Sequence, residues 1–397
     1  MGILCCKTNH HLPDQYNSEK TYDKEVFRFF MAGMASAGKS TIIRHLKYLC
    51  QKQKEYKYCN SDWVEKRDFE DEDALMRKAI WENIINALDV FIKQVAINNE
   101  DFADEDIRTI AKIVENLNGD KDEIPNFEMS DVFRNELVKL LEDPAFLNAI
   151  KVRNTIPNHQ PKREIFDGID YFLTAEKIKE VFHNDYIPSD DDKVRCRLPT
   201  TDVHRYYFRV NDYRIEIYDA GGQASIRQNL PEIINSWKIN NPYPNYREFI
   251  FFVTSIADFN VRHPKYKDNT VLQESEAFME HLLSAGQLEK CDVLVFFNKK
   301  DRFIDKLNDP HCRDDIKYLA DYLSPTDFRQ FRETGKYNEK TMYDAVQKPF
   351  TDVLRTRFSN KPSYCRTTCA IDKMIMEAFF GVIKSHFIVS DPLMHIP

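Results

Sequence analysis

The sequence predicts an α/β fold in which an open sheet is interrupted by a long helical insertion. Strand-like runs at residues 26–32 (VFRFFMA), 213–218 (YRIEIY) and 293–297 (VLVFF) predict the sheet, and each ends at a polar loop. Apolar residues spaced by three and four predict helices between the first two runs. Loops at strand carboxyl ends line the ligand crevice of such a sheet, so these three loops are candidate functional sites.

The first loop, residues 33–40 (GMASAGKS), joins the first strand to a helical pattern. In that context G-x-x-x-x-G-K-S is typical of a phosphate-binding loop, because glycines let backbone N–H groups approach phosphate oxygens. Lys39 would supply a cation to the outer phosphates, and Ser40 a hydroxyl ligand for Mg²⁺. Taken alone, the loop leaves open a simple turn at the end of a strand.

The second loop follows Asp219, which ends the second strand-like run and precedes two glycines and Gln223. An aspartate at this point of a nucleotide-binding sheet typically holds Mg²⁺ through water. The amide of Gly222 would bind a γ-phosphate and move away when that phosphate leaves. Gln223 would orient the attacking water.

The third loop, residues 298–301 (NKKD), follows the third run. The carboxylate of Asp301 can accept hydrogen bonds from the N1–H and the exocyclic amine of guanine, and adenine offers no such pair. Three motifs in this order, each after its own strand, predict a protein that binds GTP and GDP with Mg²⁺. An enzyme that uses ATP is the alternative, and Asp301 argues against it.

The insertion between Lys39 and Arg197 is about 150 residues long, which is enough for a separate domain. Its apolar residues predict a helix through residues 80–95, a second through 107–117 and a third through 133–141. Residues 167–182 predict a last helix. The acidic run at residues 190–192 is interpreted as a solvated edge of a linker. The helix through residues 80–95 is predicted from five apolar residues that fall on one face, Ile80, Ile84, Leu88, Phe91 and Val95.

With these motifs the chain resembles the alpha subunit of a heterotrimeric G protein over most of its length. Residues 368–370 (TCA) resemble the family's guanine-binding loop, and residues 197–201 (RLPTT) resemble its first switch. The resemblance implies a Ras-like P-loop GTPase domain, with a doubly wound, mostly parallel six-stranded sheet, and an inserted all-α helical domain. It places the GTPase domain at 24–47 and 194–397, the helical domain at 48–193 and a lipidated N-terminal segment at 1–23.

The resemblance also implies the roles of single residues. Arg197 would be a built-in arginine finger, and Gln223 would be the second catalytic residue. Mg²⁺ would be held by Ser40 and Thr200 and, through water, by Asp219. The implied nucleotide contacts are Gly33, Ala35, Ser36, Ala37, Gly38, Lys39, Ser40, Thr41, Arg195, Thr200, Asp219, Gly222, Asn298, Lys299, Asp301, Thr368, Cys369 and Ala370.

Several residues depart from the family's pattern. Ala35 stands where the family has a glycine beside the γ-phosphate, and Ser36 replaces a glutamate that pairs with the finger arginine. Asp202 replaces a glycine of the first switch, while Ala224 and Ile226 replace charged residues of the second. A methyl group at position 35 would crowd a transition state that tolerates little displacement. We therefore expect a slow GTPase, with a GTP-loaded scaffold that hydrolyses little or nothing as the alternative.

The N-terminus indicates a membrane anchor. Removal of Met1 would expose Gly2 for myristoylation, and Cys5 and Cys6 are candidates for palmitoylation, as in the family. One acyl chain binds membranes only marginally, so two would be needed for stable attachment. The sequence has no apolar run long enough to span a bilayer, and its cysteines lack the spacing of a metal site. These features predict a place at the cytoplasmic face of the plasma membrane.

The resemblance and the net charge also bear on partners. A formal net charge of −8 argues against a nucleic-acid surface. The family implies a beta–gamma dimer, a G-protein-coupled receptor and an effector. Only 32 residues precede Gly33 and Pro13 interrupts them, so the helix that meets the dimer is expected to be short. Prolines near the end of the chain are expected to end the last helix early.

Overall fold

A computed structural model describes residues 25–66, 70–160, 163, 165–200, 202–211, 213–222, 227–266, 268–357, 363–374 and 376–377. The predicted acylation sites Gly2, Cys5 and Cys6 and the predicted catalytic Gln223 lie outside these residues. So do Ala224 and the C-terminal segment. None of the helices that the structure describes is long and apolar enough to cross a membrane.

A seven-stranded sheet forms the centre of the described structure, with strand order β2-β3-β4-β1-β5-β6-β7. Strands β4, β1, β5, β6 and β7 are parallel, whereas β2 and β3 form an antiparallel edge. The doubly wound, mostly parallel sheet is thus confirmed. The strands are β1 (Val26–Ala32), β2 (Tyr56–Cys59), β3 (His204–Val210), β4 (Tyr213–Asp219), β5 (Tyr246–Ser255), β6 (Asp292–Asn298) and β7 (Ser363–Thr367).

The predicted number of six strands is wrong by one. The extra strand, β2, pairs with β3 from Tyr56 opposite Val210 to Cys59 opposite Tyr207. It lies within residues 48–193, which were predicted to be helical. Four residues are too few for an alternating pattern to be recognised, and pairing with β3 forms this strand.

Helices cover both faces of the sheet, which explains why all seven residues of β1 are buried. Helix α1 (Lys39–Lys52) packs against one face, together with apolar residues of β1, β4 and β5. The remaining core helices are α9 (Leu230–Ile239), α10 (Val271–Leu283), α11 (Lys300–Asn308), α12 (Pro325–Thr334) and α13 (Glu339–Arg357), with 3₁₀ segments Ile256–Asn260, Gly286–Leu288 and Pro310–Leu319. Of these, α10 and α13 cover most of the opposite face.

The insertion forms a helical unit with its own apolar core. The helices predicted through residues 80–95, 107–117 and 133–141 are confirmed as α2, α3 and α4. This unit consists of α2 (Glu70–Ile97), α3 (Glu105–Gly119), α4 (Asp131–Glu142), α5 (Pro144–Lys151), α6 (Ile156–His159) and α7 (Ala175–Val181), with 3₁₀ segments Ile124–Asn126 and Ile169–Tyr171; helix α8 (Asp190–Arg195) leads back to the core.

The single helix predicted over residues 167–182 is wrong. A 3₁₀ segment, Ile169–Tyr171, is followed by the separate helix α7. Thr174 divides the two, because its backbone is extended and its side chain accepts a hydrogen bond from the amide of Lys177. This is the geometry of a helix N-cap, so a new helix starts where the apolar spacing suggested continuity.

Candidate nucleotide-binding site

A cavity of about 1010 Å³ lies where the carboxyl ends of the parallel strands meet the helical unit. Loop residues 34–41, the segment 194–200 and the start of α11 line it from the core side. Arg153, Phe166 and Asp167 line it from the helical unit. Such a crevice is the usual ligand site of an open α/β sheet.

The two glycines of residues 33–40 are required by close backbone contacts. Gly33 has φ 147°, and a Cβ there would lie 2.0 Å from the carbonyl oxygen of Val253. Gly38 has φ 103° and is the N-cap residue of α1, and a Cβ there would lie 2.1 Å from Nδ2 of Asn298. Left-handed backbone and lack of space both exclude a side chain at these positions. The loop therefore turns tightly into the start of α1.

Lys39 lies deep in this loop. Its Nζ donates to the carbonyl oxygens of Gly33 (2.9 Å) and Met34 (3.0 Å). Burial lowers the pKa of Lys39, and the nearby carboxylate of Asp219 opposes that effect. A Cβ on Gly222 would lie 2.6 Å from this Nζ, so the second loop packs directly against the first. The predicted lysine and the predicted Gly222 thus meet.

The predicted metal ligands also come together. Ser40 Oγ and Thr200 Oγ1 are 3.0 Å apart, although 160 residues separate them in the chain. Asp219 is almost fully buried, and its Oδ1 accepts a hydrogen bond from the amide of Gly221 (3.0 Å). Its Oδ2 is buried without a hydrogen-bond partner. Hydroxyl and carboxylate oxygens are the ligands that Mg²⁺ prefers, and a bound ion or its water would satisfy the free oxygen.

Asn298 joins three loops of the site. Its Nδ2 donates to the carbonyl oxygen of Ala37 (2.8 Å) in the first loop. Its Oδ1 accepts from the amide of Ala370 (2.9 Å) and the hydroxyl of Thr368 (3.3 Å). Residues 368–370 are thereby held beside the third loop, as the guanine-binding prediction requires.

Asp301 also lines the cavity. Its Oδ1 accepts a hydrogen bond from Sγ of Cys369, at 3.1 Å. Burial and the Asp301 carboxylate raise the pKa of Cys369 to about 12, so this thiol stays protonated at neutral pH and keeps its role as donor. The contact orients the carboxylate that was predicted to bind the base.

Lys299 connects the third loop to the helical unit. Its backbone is left-handed, with φ 62°, and its Nζ lies 2.5 Å from Oδ2 of Asp167. Burial alone would lower the pKa of Lys299, but the carboxylates of Asp167 and Asp258 outweigh it and raise that pKa. The lysine therefore stays charged.

Both predicted arginines line the cavity. The guanidinium of Arg195 donates to the carboxylate of Asp191 (3.1 Å) and lies 4.6 Å from the ring centre of Tyr171. The backbone of Arg197 is bound by Asn83 of α2.

Most of the predicted site residues that the structure describes line the cavity. Four lie behind the lining: Gly33, Asp219, Thr368 and Cys369 support residues that face it. The sequence analysis assigned no role to Asp167 or Asn83, since both act through contacts between distant parts of the chain.

The strand order, the loop at residues 33–40 and the base-binding loops define a P-loop protein that binds guanine nucleotides. The sequence model of the G-protein alpha subunit family matches residues 7–387. This chain belongs to that family, whose members are subunits that transduce signals.

Individual relatives are distant. The chain is 23% identical over 375 residues to the rat protein named guanine nucleotide-binding protein G(olf) subunit alpha, covering 92% of this chain and 87% of that protein. The human G(olf) subunit alpha matches to the same extent. The alpha-7 subunit of Caenorhabditis elegans is 20% identical over 367 residues, covering 92% of this chain and 89% of its own length.

Proposed function

We propose that this protein is a slow GTPase that acts as a signalling switch. It binds GTP and GDP with Mg²⁺ and hydrolyses GTP to GDP. The observation that supports this most directly is the convergence on one cavity of three segments that are far apart in the sequence: the loop with Lys39 and Ser40, the segment with Thr200 and the loop with Asp301. This convergence supports a phosphate-binding end and a base-binding end in one cavity.

The described residues support a division of roles. Lys39 and the loop amides bind the phosphates, and Asp301 binds the base. Ser40, Thr200 and Asp219 would hold Mg²⁺, which neutralises phosphate charge when bound. Arg197 stabilises the charge that develops on the phosphoryl oxygens, an effect worth roughly 10³–10⁵ in rate where such an arginine acts. Gln223 lies outside the described residues, and its role of orienting the water rests on the resemblance to the family.

Ala35 is the reason for expecting slow turnover. Its backbone nitrogen lies 2.6 Å from the position that a Cβ on Gly222 would take, so the two loops meet at this residue. The methyl group of Ala35 reduces the space in which the terminal phosphate would react. The second candidate function, a GTP-loaded scaffold with little or no hydrolysis, is favoured by the same observation.

Hydrolysis of preloaded GTP in a single turnover separates the two functions. We expect a slow but measurable rate, faster in Ala35→Gly because the crowding methyl is removed. Ala37→Gly is the matched control, since Ala37 lies in the same loop beside Asn298. No hydrolysis in either the wild type or Ala35→Gly would favour the scaffold.

Membership of the family supports proposals about partners. We infer coupling to a G-protein-coupled receptor, association with a beta–gamma dimer and action on an effector. Acylation at Gly2 and at Cys5 or Cys6 would hold the protein at the cytoplasmic face of the plasma membrane. A Gly2→Ala variant that stays fully in the membrane fraction would contradict this mode of attachment.

A further inference from the structure

The segment at residues 195–200 carries Arg197 and is bound by the core at two points. Arg44 of α1 donates through its guanidinium to the carbonyl oxygen of Cys196. Three residues after Arg197, the hydroxyl of Thr200 lies 3.0 Å from that of Ser40. Both contacts come from α1, so the nucleotide-binding core holds each side of the arginine.

The backbone of Arg197 itself is bound by the helical unit. Oδ1 of Asn83, on α2, accepts the amide hydrogen of Arg197 at 2.7 Å. Nδ2 of the same side chain donates to the carbonyl oxygen of Arg197 at 3.0 Å. Because a carboxamide has one accepting and one donating end, this pair of bonds fixes both the position and the direction of one peptide segment.

The residues next to Arg197 pack against the helical unit. Cys196 is 3% exposed and belongs to the apolar core of the helical unit, and Leu198 packs against the same core. The backbone at Cys196 is extended, with φ −68° and ψ 137°. Arg197 lines the cavity, as Cys196 and Leu198 also do, so this segment lies where the core of the helical unit meets the cavity.

We propose that Asn83 is a positioning residue for GTP hydrolysis. By binding both backbone polar groups of Arg197, it holds the arginine at the phosphate end of the cavity for as long as the helical unit stays against the core. Hydrolysis is thereby coupled to closure of the two units. This inference rests on the proposed role of Arg197. Asn83 does not line the cavity, so nucleotide binding does not depend on it.

Single-turnover hydrolysis of preloaded GTP by the full chain tests this. We expect Asn83→Ala to be slower than the wild type by about 10- to 100-fold, because a displacement of about 1 Å at a reacting group costs up to about 10² in rate. The rate of GTP dissociation should change less than about twofold. The double variant with Arg197→Ala should be no slower than Arg197→Ala alone, since Asn83 acts through the arginine.

Glu82→Ala is the matched control, because Glu82 is the preceding residue of α2 and pairs along the helix with Lys78 at 3.7 Å. It should hydrolyse GTP at the wild-type rate. Asn83→Asp is a second test variant. It retains an acceptor for the Arg197 amide but sets a carboxylate oxygen against the Arg197 carbonyl, so it should be as slow as Asn83→Ala. Thermal unfolding of each variant shows whether the fold is intact.

The possible results separate the inference from the proposed function. If Arg197→Ala hydrolyses GTP as fast as the wild type, the proposed role of Arg197 is contradicted, and the inference about Asn83 is contradicted as well. If Arg197→Ala is slow while Asn83→Ala retains the wild-type rate, the inference alone is overturned. Additive losses in the double variant would also overturn it, because they would mean that Asn83 acts independently of Arg197.

Discussion

Single glycines shape the phosphate end of the cavity. Gly33 lies against the backbone of β5, whose carbonyl oxygens are committed to a buried sheet and cannot move away. Gly38 lies against the Asn298 side chain, which holds residues 368–370 in place. Each glycine therefore supports a contact between two parts of the site, in addition to its proposed part in phosphate binding.

Gly33→Ala should destabilise the whole protein. A Cβ at 2.0 Å from the Val253 oxygen forces the backbone to shift, and an alanine at φ 147° is strained. Together these effects cost at least about 2 kcal/mol. Gly119→Ala is the control, because nothing lies within 4 Å of a Cβ at that helical position. Urea unfolding should show the first loss and little change, or a gain, for the second; equal stabilities would contradict the close contact.

Asp301→Asn should change the preferred base. Guanine loses two hydrogen bonds to a carboxylate, which amounts to about 3 kcal/mol or more. Xanthine carries a carbonyl in place of the amine, and an asparagine can donate to it where a carboxylate repels it. Competition between GTP and XTP measures the shift. Asp305→Asn is the control, because Asp305 lies on the same helix, pairs with Arg302 and does not itself line the cavity; it should keep the wild-type preference. Unchanged GTP affinity in Asp301→Asn would contradict the base assignment.

At the scale of elements, the acidic run at residues 190–192 forms part of the short helix α8, and its prediction as a solvated edge is wrong for one residue. The acidic run at residues 190–192 was interpreted as a solvated edge, yet Asp192 is fully buried. Its carboxylate accepts the amide of Ser189, whose hydroxyl in turn accepts the amide of Asp192, which forms a capping box. The same carboxylate lies 2.7 Å from Nζ of Lys177 in α7. These contacts anchor the segment that continues to Arg195 and Arg197.

The pH dependence of stability should reflect this anchor. Burial alone would raise the pKa of Asp192, but Lys177 and the Ser189 contacts outweigh it and lower that pKa. A carboxyl group with a lowered folded-state pKa adds stability above its unfolded pKa of about 3.9, and this stability is lost as the pH falls through the folded-state pKa.

Asp192→Asn should therefore lower the free energy of unfolding by about 1.5–3 kcal/mol at pH 7, with a difference from the wild type that shrinks below about pH 4. Asp190→Asn is the control from the same acidic run. Its ion pair with Lys52 is long, at 3.8 Å, and partly exposed, so its loss should cost less than about 1 kcal/mol. Urea unfolding between pH 7 and pH 3 measures both, and a pH-independent loss in Asp192→Asn would contradict the linkage.

At the scale of the whole molecule, polar contacts close the helical unit against the core on two sides of the cavity. On one side the buried Asn158 of α6 donates to Asp315 at 2.6 Å. On the other, Nζ of Lys373 lies 3.0 Å from the carboxylate of Asp191, which also binds Arg195. Lys373 follows the predicted guanine-binding loop, residues 368–370, so this ion pair connects that loop to the segment that carries Arg195 and Arg197.

Lys373→Glu should speed the release of bound GDP. It replaces an attraction to Asp191 by repulsion, and a partly exposed pair of this kind contributes about 0.2–1 kcal/mol, which corresponds to roughly 1.4- to 5-fold in rate. Lys373→Arg keeps the charge and should release GDP at nearly the wild-type rate. Fluorescent GDP dissociation measures both. Because salt screens such pairs, the difference should shrink near 1 M salt; a difference that persists there would point to another cause.

Local patterns explain which features were predictable. Strands β1, β4 and β6 are continuous apolar or alternating runs, and the loops after them carry motifs whose residue types are set by phosphate and guanine chemistry. The second strand and the break at Thr174 were missed, because one depends on pairing with β3 and the other on a single capping side chain. Asn83 carries no local signal of its role.

The sequence by itself determined three features: a sheet interrupted by a helical insertion, the chemistry of each loop and the class of ligand. Each of these features depends on patterns among neighbouring residues. Tertiary structure alone decided that Asp192 is buried and that Asn83 binds the backbone of Arg197. These contacts join residues that lie far apart in sequence or depend on burial. The spacing of apolar residues along the chain does not indicate such contacts, because they form only when the elements pack together.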